Sequence, residues 1–294
     1  MSEAIVSVFS DHICQLGEGP SYDPATDALF WFDIVNGQLL EKPVAAGGAL
    51  KIHELGQMAS AIAIIDEKRQ LIAPETGLYV RDVATGSMTL HTSIEADNPT
   101  TRSNDSRVHP CGALWMGTMG KGEQKGAGSI YWFFKGELRR LFSDITVSNS
   151  ICFSGDGALA YYTDTSTGLL MRVDCDPATG LPAGEPKVFV DHRSSKGFVD
   201  GSVVDRDGVL WNAVWGGKAV RAYAPDGTLL RSVAMPVTQP SCPAFVGKNA
   251  DRLAVTSAWK GKDEKQRQLD PQAGMTFLLD IPVNGRFEPR VLIA

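Results

Sequence analysis

The stretch Asp156-Gly157-Ala158-Leu159-Ala160-Tyr161-Tyr162-Thr163-Asp164-Thr165 decides the fold class. An Asp-Gly turn opens at once into a run rich in aromatic and β-branched residues, the pattern of a turn leading into a strand. Similar strands, each after a turn signal, stand at 28–34 (ALFWFDI), 113–119 (ALWMGTM), 209–216 (VLWNAVWG) and 252–259 (RLAVTSAW). Long amphipathic helical patterns are scarce. The turns ahead of the strands set a register at Asp23, Asp66, Pro110, Asp156, Asp207 and Ala250, with separations of 43, 44, 46, 51 and 43 residues. A second turn often follows within a unit, as at Ala84-Thr85-Gly86, Asp176-Pro177-Ala178-Thr179-Gly180 and Pro225-Asp226-Gly227. A strand-built period of this length predicts β-propeller blades of four strands each.

Six units fill the chain. It therefore reads as all-β, with residues 1–294 forming a single six-bladed β-propeller domain. A large β-sandwich is the alternative, but sandwiches do not usually show a repeat of this length. The last unit is the least regular: GKDEKQRQLDPQAG (261–274) reads as a polar loop ahead of the apolar strand MTFLLDI. The terminal strands near 5–9 and 287–293 are expected to share a blade and close the ring, which would remove open sheet edges.

Composition narrows the function classes. The apolar fraction of 43% and charged fraction of 21% are those of an ordinary globular protein. A net charge of −6 without blocks of like charge argues against nucleic acid and anionic membranes as partners. The first twenty residues carry neither a basic n-region nor a continuous apolar core, so no signal peptide is read. No apolar run approaches the length of a membrane span. Cysteines stand at 14, 111, 152, 175 and 242, an odd number without a C-x-x-C pair. That pattern disfavours a disulfide framework or a thiolate zinc site, and a reducing cytoplasm is the expected location.

In a propeller the first strand of each blade runs along the central channel, so residues at one phase of the repeat converge on one mouth. Five to seven residues before the register turns stand Glu18, Asn104, Asn149 and Asp200; blade two offers Ser60 and Ala61, and blade six Cys242 and Pro243. Arg102 and Asp105 flank Asn104. Asn and Asp also suit plain strand-end turns, where they bond their own backbone. Two acids and two amides facing one axis, however, make sense around a cation, because a buried acid without a partner is strongly disfavoured. Oxygen ligands of this kind suit calcium, magnesium or manganese, with zinc less favoured.

At these residues the chain resembles the regucalcin, gluconolactonase and luciferin-regenerating enzyme family, also called the senescence marker protein family, over nearly its whole length. LGEGPSYDPATDALFWFDI looks like the family's opening strand and implies Glu18 as a metal ligand. RSNDSRVHPCGALWMGTM resembles the Arg-x-Asn-Asp segment and implies Arg102 and Asn104 in the substrate pocket. VSNSICFSGDGALAYYTDT implies Asn149 as a metal ligand, and VDGSVVDRDGVLWNAVWGG implies Asp200 as both ligand and catalytic group. TQPSCPAFVGKNADRLAVTSA also fits. Val199 stands where Pro is usual, and Ser150 where Gly is usual after the ligand Asn. After the Gly-Thr-Met turn some relatives place an acid that touches substrate; here Lys121 stands there, with Glu123 two residues on.

The resemblance implies a metal-dependent hydrolase opening a sugar-acid lactone such as a glucono-, arabino- or xylonolactone. A divalent ion, calcium first, on Glu18, Asn149 and Asp200 would polarise the lactone carbonyl and activate a water, with Asp200 as general base. Arg102 and Asn104 would hold the substrate, with Lys121 adding positive charge at the rim. The competing readings are a non-enzymatic calcium- or partner-binding propeller and a hydrolase of organophosphates or aryl esters. Asp105 is expected to brace its loop. His53, His91, His109 and His192 show no metal-ligand spacing, Cys242 has no His partner, and Trp31, Trp115, Trp211 and Trp215 read as core between blades.

Overall fold

The computed structural model describes residues 5–294 apart from Ala46. Its strands sort into six four-stranded sheets. Their inner strands are Gly17–Asp23, Ala59–Ile64, Thr101–Val108, Ser148–Phe153, Phe198–Val204 and Pro240–Val246, which define blades one to six. In blades one to five the strands follow one another outward in chain order. Each inner strand contacts the next around the axis, and the first contacts the sixth. The ring is closed.

Blade six is completed by the N-terminal strand Ile5–Ser10, which pairs antiparallel with Thr276–Asp280. The N-terminal half of the closure expected from sequence is therefore present. The C-terminal half is not: residues 287–293 form no strand. The outer place in that sheet is already filled by Ile5–Ser10. The tail instead crosses the ring, bonding Gly285 N–H to Ala250 O (3.1 Å), Val291 N–H to Ile64 O (2.9 Å) and Leu292 N–H to Gly112 O (2.9 Å). Val291 and Ile293 bury themselves in the apolar cluster between blades two and three. The polar segment 261–274 is also more ordered than a plain loop. It carries a short helix, Glu264–Gln268, whose capping box joins Asp263 and Gln266 reciprocally.

The core lies between blades, because each sheet presents an apolar face to the next. Trp115 of blade three, fully buried, meets Phe153 of blade four edge-to-face with ring centroids 5.4 Å apart. Its indole N–H donates to Gly180 O at 2.9 Å, so the ring is buried without an orphaned donor. Removing such a side chain costs about 3–5 kcal/mol. Trp31 and Trp211 are buried likewise, whereas Trp215 is only partly covered.

One irregularity positions the site. Every inner strand breaks its pairing with the second strand at the same level: between Glu18 and Ser21, Ala59 and Ile62, Ser103 and Ser106, Asn149 and Cys152, Val199 and Ser202, and Pro240 and Pro243. A bulge leaves residues unpaired and re-aims their side chains. At this level Glu18, Asn104, Asn149 and Asp200, from blades one, three, four and five, come together at one cavity. Among the described residues no helix is long and apolar enough to cross a membrane.

Candidate functional site

The bulges open into a cavity of about 340 Å³ at one end of the channel. Glu18, Arg102, Asn104, Asn149 and Asp200 line its polar part, and Leu16, Met119, Val147, Phe198 and Trp215 its apolar part. Five of the six site residues expected from sequence are thus brought together. Lys121 is not among the lining residues; its ammonium forms an ion pair with Glu75 of blade two. Glu123, on the same loop, lines the cavity instead. At the opposite end Arg107, Arg286 and Phe287 pack together and leave a void of only about 20 Å³.

A belt of hydrogen bonds fixes the polar side chains across three blades. Arg102 Nη1 donates to Asn104 Oδ1 (2.6 Å) and to Ser103 O (2.8 Å). Asn104 Nδ2 donates to Ser148 O (2.7 Å) and Asn149 Oδ1 (3.0 Å). Asn149 Nδ2 donates to Thr165 Oγ1 (3.0 Å), which donates onward to Val199 O (2.9 Å). A network satisfied in this way holds its members to one arrangement.

Backbone geometry adds to this order. Gly19, next to Glu18, has φ +54°, and a Cβ there would lie 1.9 Å from Ser60 O. Ser150 follows Asn149 at φ 57°, a left-handed conformation in which glycine is the unstrained choice. Its retention of a side chain has a return: Oγ donates to Asp200 O and bonds Ser202 Oγ (2.8 Å). At Gly201 a Cβ would meet Cys242 Sγ at 2.3 Å, so blade six packs against the backbone beside Asp200.

Electrostatics separate this site from an ordinary turn cluster. Glu18 and Asp200 are almost wholly buried, yet among the described residues neither forms an ion pair. Burial, then the neighbouring Asp105, pushes the Glu18 carboxyl up to about 8. Burial, then Glu18, then Asp105, drives Asp200 well above the carboxylate range. Arg102 is lowered to about 10 by burial and so stays cationic at neutral pH, with its Nη1 engaged by Ser103 O and Asn104 Oδ1. Two crowded, desolvated carboxylates with an amide oxygen beside them are a donor set short of positive charge. A divalent, oxygen-seeking cation fits that need. Among the described residues no three His, Cys, Asp or Glu side chains form a metal cluster, so an all-carboxylate, His or thiolate site is not the pattern here.

The other candidates fall into supporting places. Asp105 sits on the blade-three bulge, not in a loop, and Oδ2 accepts from Ile151 N–H at 2.7 Å, tying blade three to blade four. His109 is buried between the same blades, with Nε2 donating to Gly157 O (2.9 Å) and Nδ1 accepting from Cys111 N–H (3.1 Å). Cys242 is fully buried, its thiol pushed up by burial and by Asp105, with Arg107 Nη2 at 3.5 Å and no His among its hydrogen-bond partners. Burial disfavours the thiolate that a nucleophile would need. Phe198, Trp215, Thr165 and Lys260 reach the cavity from places the repeat phase did not mark. Phe198 stands two residues before Asp200, and its exposure of 55% is unusual for an aromatic side chain with an apolar core nearby.

Two acids, two amides and an arginine from four blades of a six-bladed propeller thus meet in one cup. The chain belongs to the SMP-30/gluconolactonase/LRE-like family, whose model matches residues 16–259. A protein of Rhizobium meliloti (strain 1021) that carries the name of a sugar lactone lactonase is 51% identical over 95% of each chain. An L-arabinolactonase of Azospirillum brasilense is 34% identical, covering 90% of this chain and 87% of its own. The crystal structure of a calcium-binding protein, regucalcin, from Agrobacterium tumefaciens superposes with a TM-score of 0.96 at 47% identity, covering 99% of both chains.

Proposed function

We propose that this protein hydrolyses a sugar-acid lactone to the open-chain acid, with an aldonolactone as substrate. One observation carries the reading: two ion-pair-free buried carboxylates and an amide, from three separate blades, meet Arg102 and Asn104 in one cup of sugar size. Lactonase names among relatives that align over nearly the whole chain support the same reaction.

Glu18, Asn149 and Asp200 would hold a divalent cation, calcium by ligand type, and that cation supplies Lewis-acid polarisation and counter-charge when bound. The chain's own groups do the rest. Arg102 and Asn104, locked by the belt, orient the lactone, which lowers the entropic part of the barrier. Asp200 takes the proton from the attacking water as its oxygen bonds to the carbonyl carbon. The bond from that carbon to the ring oxygen then breaks, and Asp200 returns the proton to the departing ring oxygen. Water and lactone give the hydroxy acid, with no other reactant. The apolar wall of Phe198 and Trp215 faces the C–H surface of the sugar ring, and the packed floor leaves the mouth as the way in. Lys121, neutralised by Glu75, stays outside the contact set.

The test is a pH-stat screen of wild type and Asp200→Asn over a panel of aldonolactones, with each divalent ion supplied in turn. Wild type should open at least one lactone, and Asp200→Asn should lose about 10²–10⁴-fold in rate while melting like a folded protein. Full turnover by Asp200→Asn under limiting ion would falsify the assignment of Asp200. A wild type that binds calcium but opens no lactone would favour the binding-module reading, and one active only on aryl esters or organophosphates would favour the third.

A further inference from the structure

The cup has a strap. Glu123 lies in the blade-three loop between the strands Leu114–Gly120 and Gly128–Phe134. Lys260 lies in blade six, just past the strand Arg252–Ser257. In a ring of six, blades three and six face each other across the axis. Yet Lys260 Nζ reaches Glu123 Oε1 at 3.3 Å, and both residues line the cavity. The pair therefore spans the mouth.

Both ends are anchored by backbone. Glu123 sits in a left-handed turn at φ 58°, with its N–H donating to Gly120 O at 2.9 Å. Lys260 N–H donates to Gln15 O (3.0 Å), and Lys260 O accepts from Gln239 Nε2 (3.2 Å). The neighbouring lysine of this loop, Lys262, is spent on Asp270 at 3.0 Å. Lys260 is the ammonium left to the cavity. A long, part-exposed pair of this kind adds little to stability, so its groups are free to trade partners.

We propose that Glu123 and Lys260 are the specificity-determining pair of this site, gripping the hydroxylated tail of an uncharged lactone and rejecting lactones with an anionic tail. The proposal rests on the lactonase reading, because it takes the carbonyl end of the substrate to lie at Arg102 and Asn104. The far end of a sugar ring in the cup then rises between the strap residues. An ammonium only donates and a carboxylate only accepts, while a hydroxyl does both. A hydroxyl inserted between Lys260 and Glu123 satisfies each of them. A carboxylate or sulfonate in the same place gains Lys260 but meets Glu123, and Glu123 has already offset the cation.

Initial rates of wild type, Glu123→Gln and Lys260→Met on a neutral hexonolactone and on a hexarolactone bearing a free carboxylate test the proposal. Glu123→Gln should lower KM for the charged lactone by about fivefold, the scale of one exposed ion pair. That gain should fade at high salt. KM for the neutral lactone should rise in both variants, with kcat within about twofold, because the strap is remote from the proton transfers. An active wild type whose two variants keep its ratio of KM values between the lactones overturns the strap and leaves the lactonase reading standing. A wild type inactive on every lactone overturns both.

Discussion

Replacing Gly19 by Ala asks whether the close approach of blades one and two is what places Glu18. Gly19 sits in the blade-one bulge at φ +54°, and an added Cβ would stand 1.9 Å from the carbonyl oxygen of Ser60. The left-handed conformation alone costs an L-residue about 1–2 kcal/mol. The overlap is with backbone, so it is relieved only by moving blade one against blade two, which adds about 1–3 kcal/mol. The combined loss of about 2–5 kcal/mol is within the stability of a typical domain, so the variant should fold. For a chain of this length the midpoint should fall by about 4–10 °C. Gly56 supplies the control: it has φ +72° and nothing within 4 Å of the added carbon, so Gly56→Ala carries the conformational cost without the clash. Thermal and urea melts measure the stability difference, and lactone turnover measures the displacement of Glu18. A shift of about 1 Å in a positioned group costs on the order of 10²-fold in rate. Gly19→Ala should show both losses, and Gly56→Ala only a small drop in midpoint. Equal melts and equal rates for the two variants would refute the inference that the Ser60 contact sets the Glu18 position.

Two further outcomes follow from the same belt. Ser150→Ala keeps the left-handed strain at φ 57° but loses the Oγ bonds to Asp200 O and Ser202, whereas Ser150→Gly loses the bonds and relieves the strain. The Ala variant should therefore be less stable than the Gly variant by about 1 kcal/mol, read from urea midpoints; the reverse order would show that the backbone is not strained there. Burial lowers the pKa of His109, and its Nε2–H and Nδ1 contacts fit only the neutral ring. The unfolded chain takes up that proton near pH 6.5, so between 6.5 and the lower native value it binds more protons than the folded chain. Stability should accordingly fall as pH drops through this window, and His109→Gln, compared with wild type by urea melts at pH 7 and pH 5, should show a smaller drop. An identical pH dependence in the two proteins would assign the acid sensitivity elsewhere.

The fold was legible because strand-building residues and turns carry the period, and neither depends on distant contacts. Glu18, Asn104, Asn149 and Asp200 were legible for a related reason: the six bulges fall at one phase, so the residues they re-aim do too. The tail was misread because FEPRVLI has strand-like composition, and composition is silent on which sheet edge is free. That edge had been taken by Ile5–Ser10, and Val291 and Ile293 found cover between blades two and three instead.

Lys121 and Glu123 mark where periodicity stops informing. Both lie in a loop whose length differs from its counterparts in other blades, and Glu123 lines the cavity while Lys121 is drawn to Glu75 of blade two. Lys260 and Phe198 are hidden for the same reason, since Lys260 enters from the loop past Arg252–Ser257 and Phe198 from the strand end ahead of the bulge. The division has a physical basis. Residues in the bulges are fixed by inner-strand pairing that all six blades share, so the groups expected to carry the reaction are placed by the fold. Residues on the rim are fixed blade by blade, by loop turns and one-off ion pairs, and they can change without disturbing that pairing. Substrate choice in this chain should therefore be separable by mutation from lactone opening, with Glu123 and Lys260 on one side and Asp200 on the other.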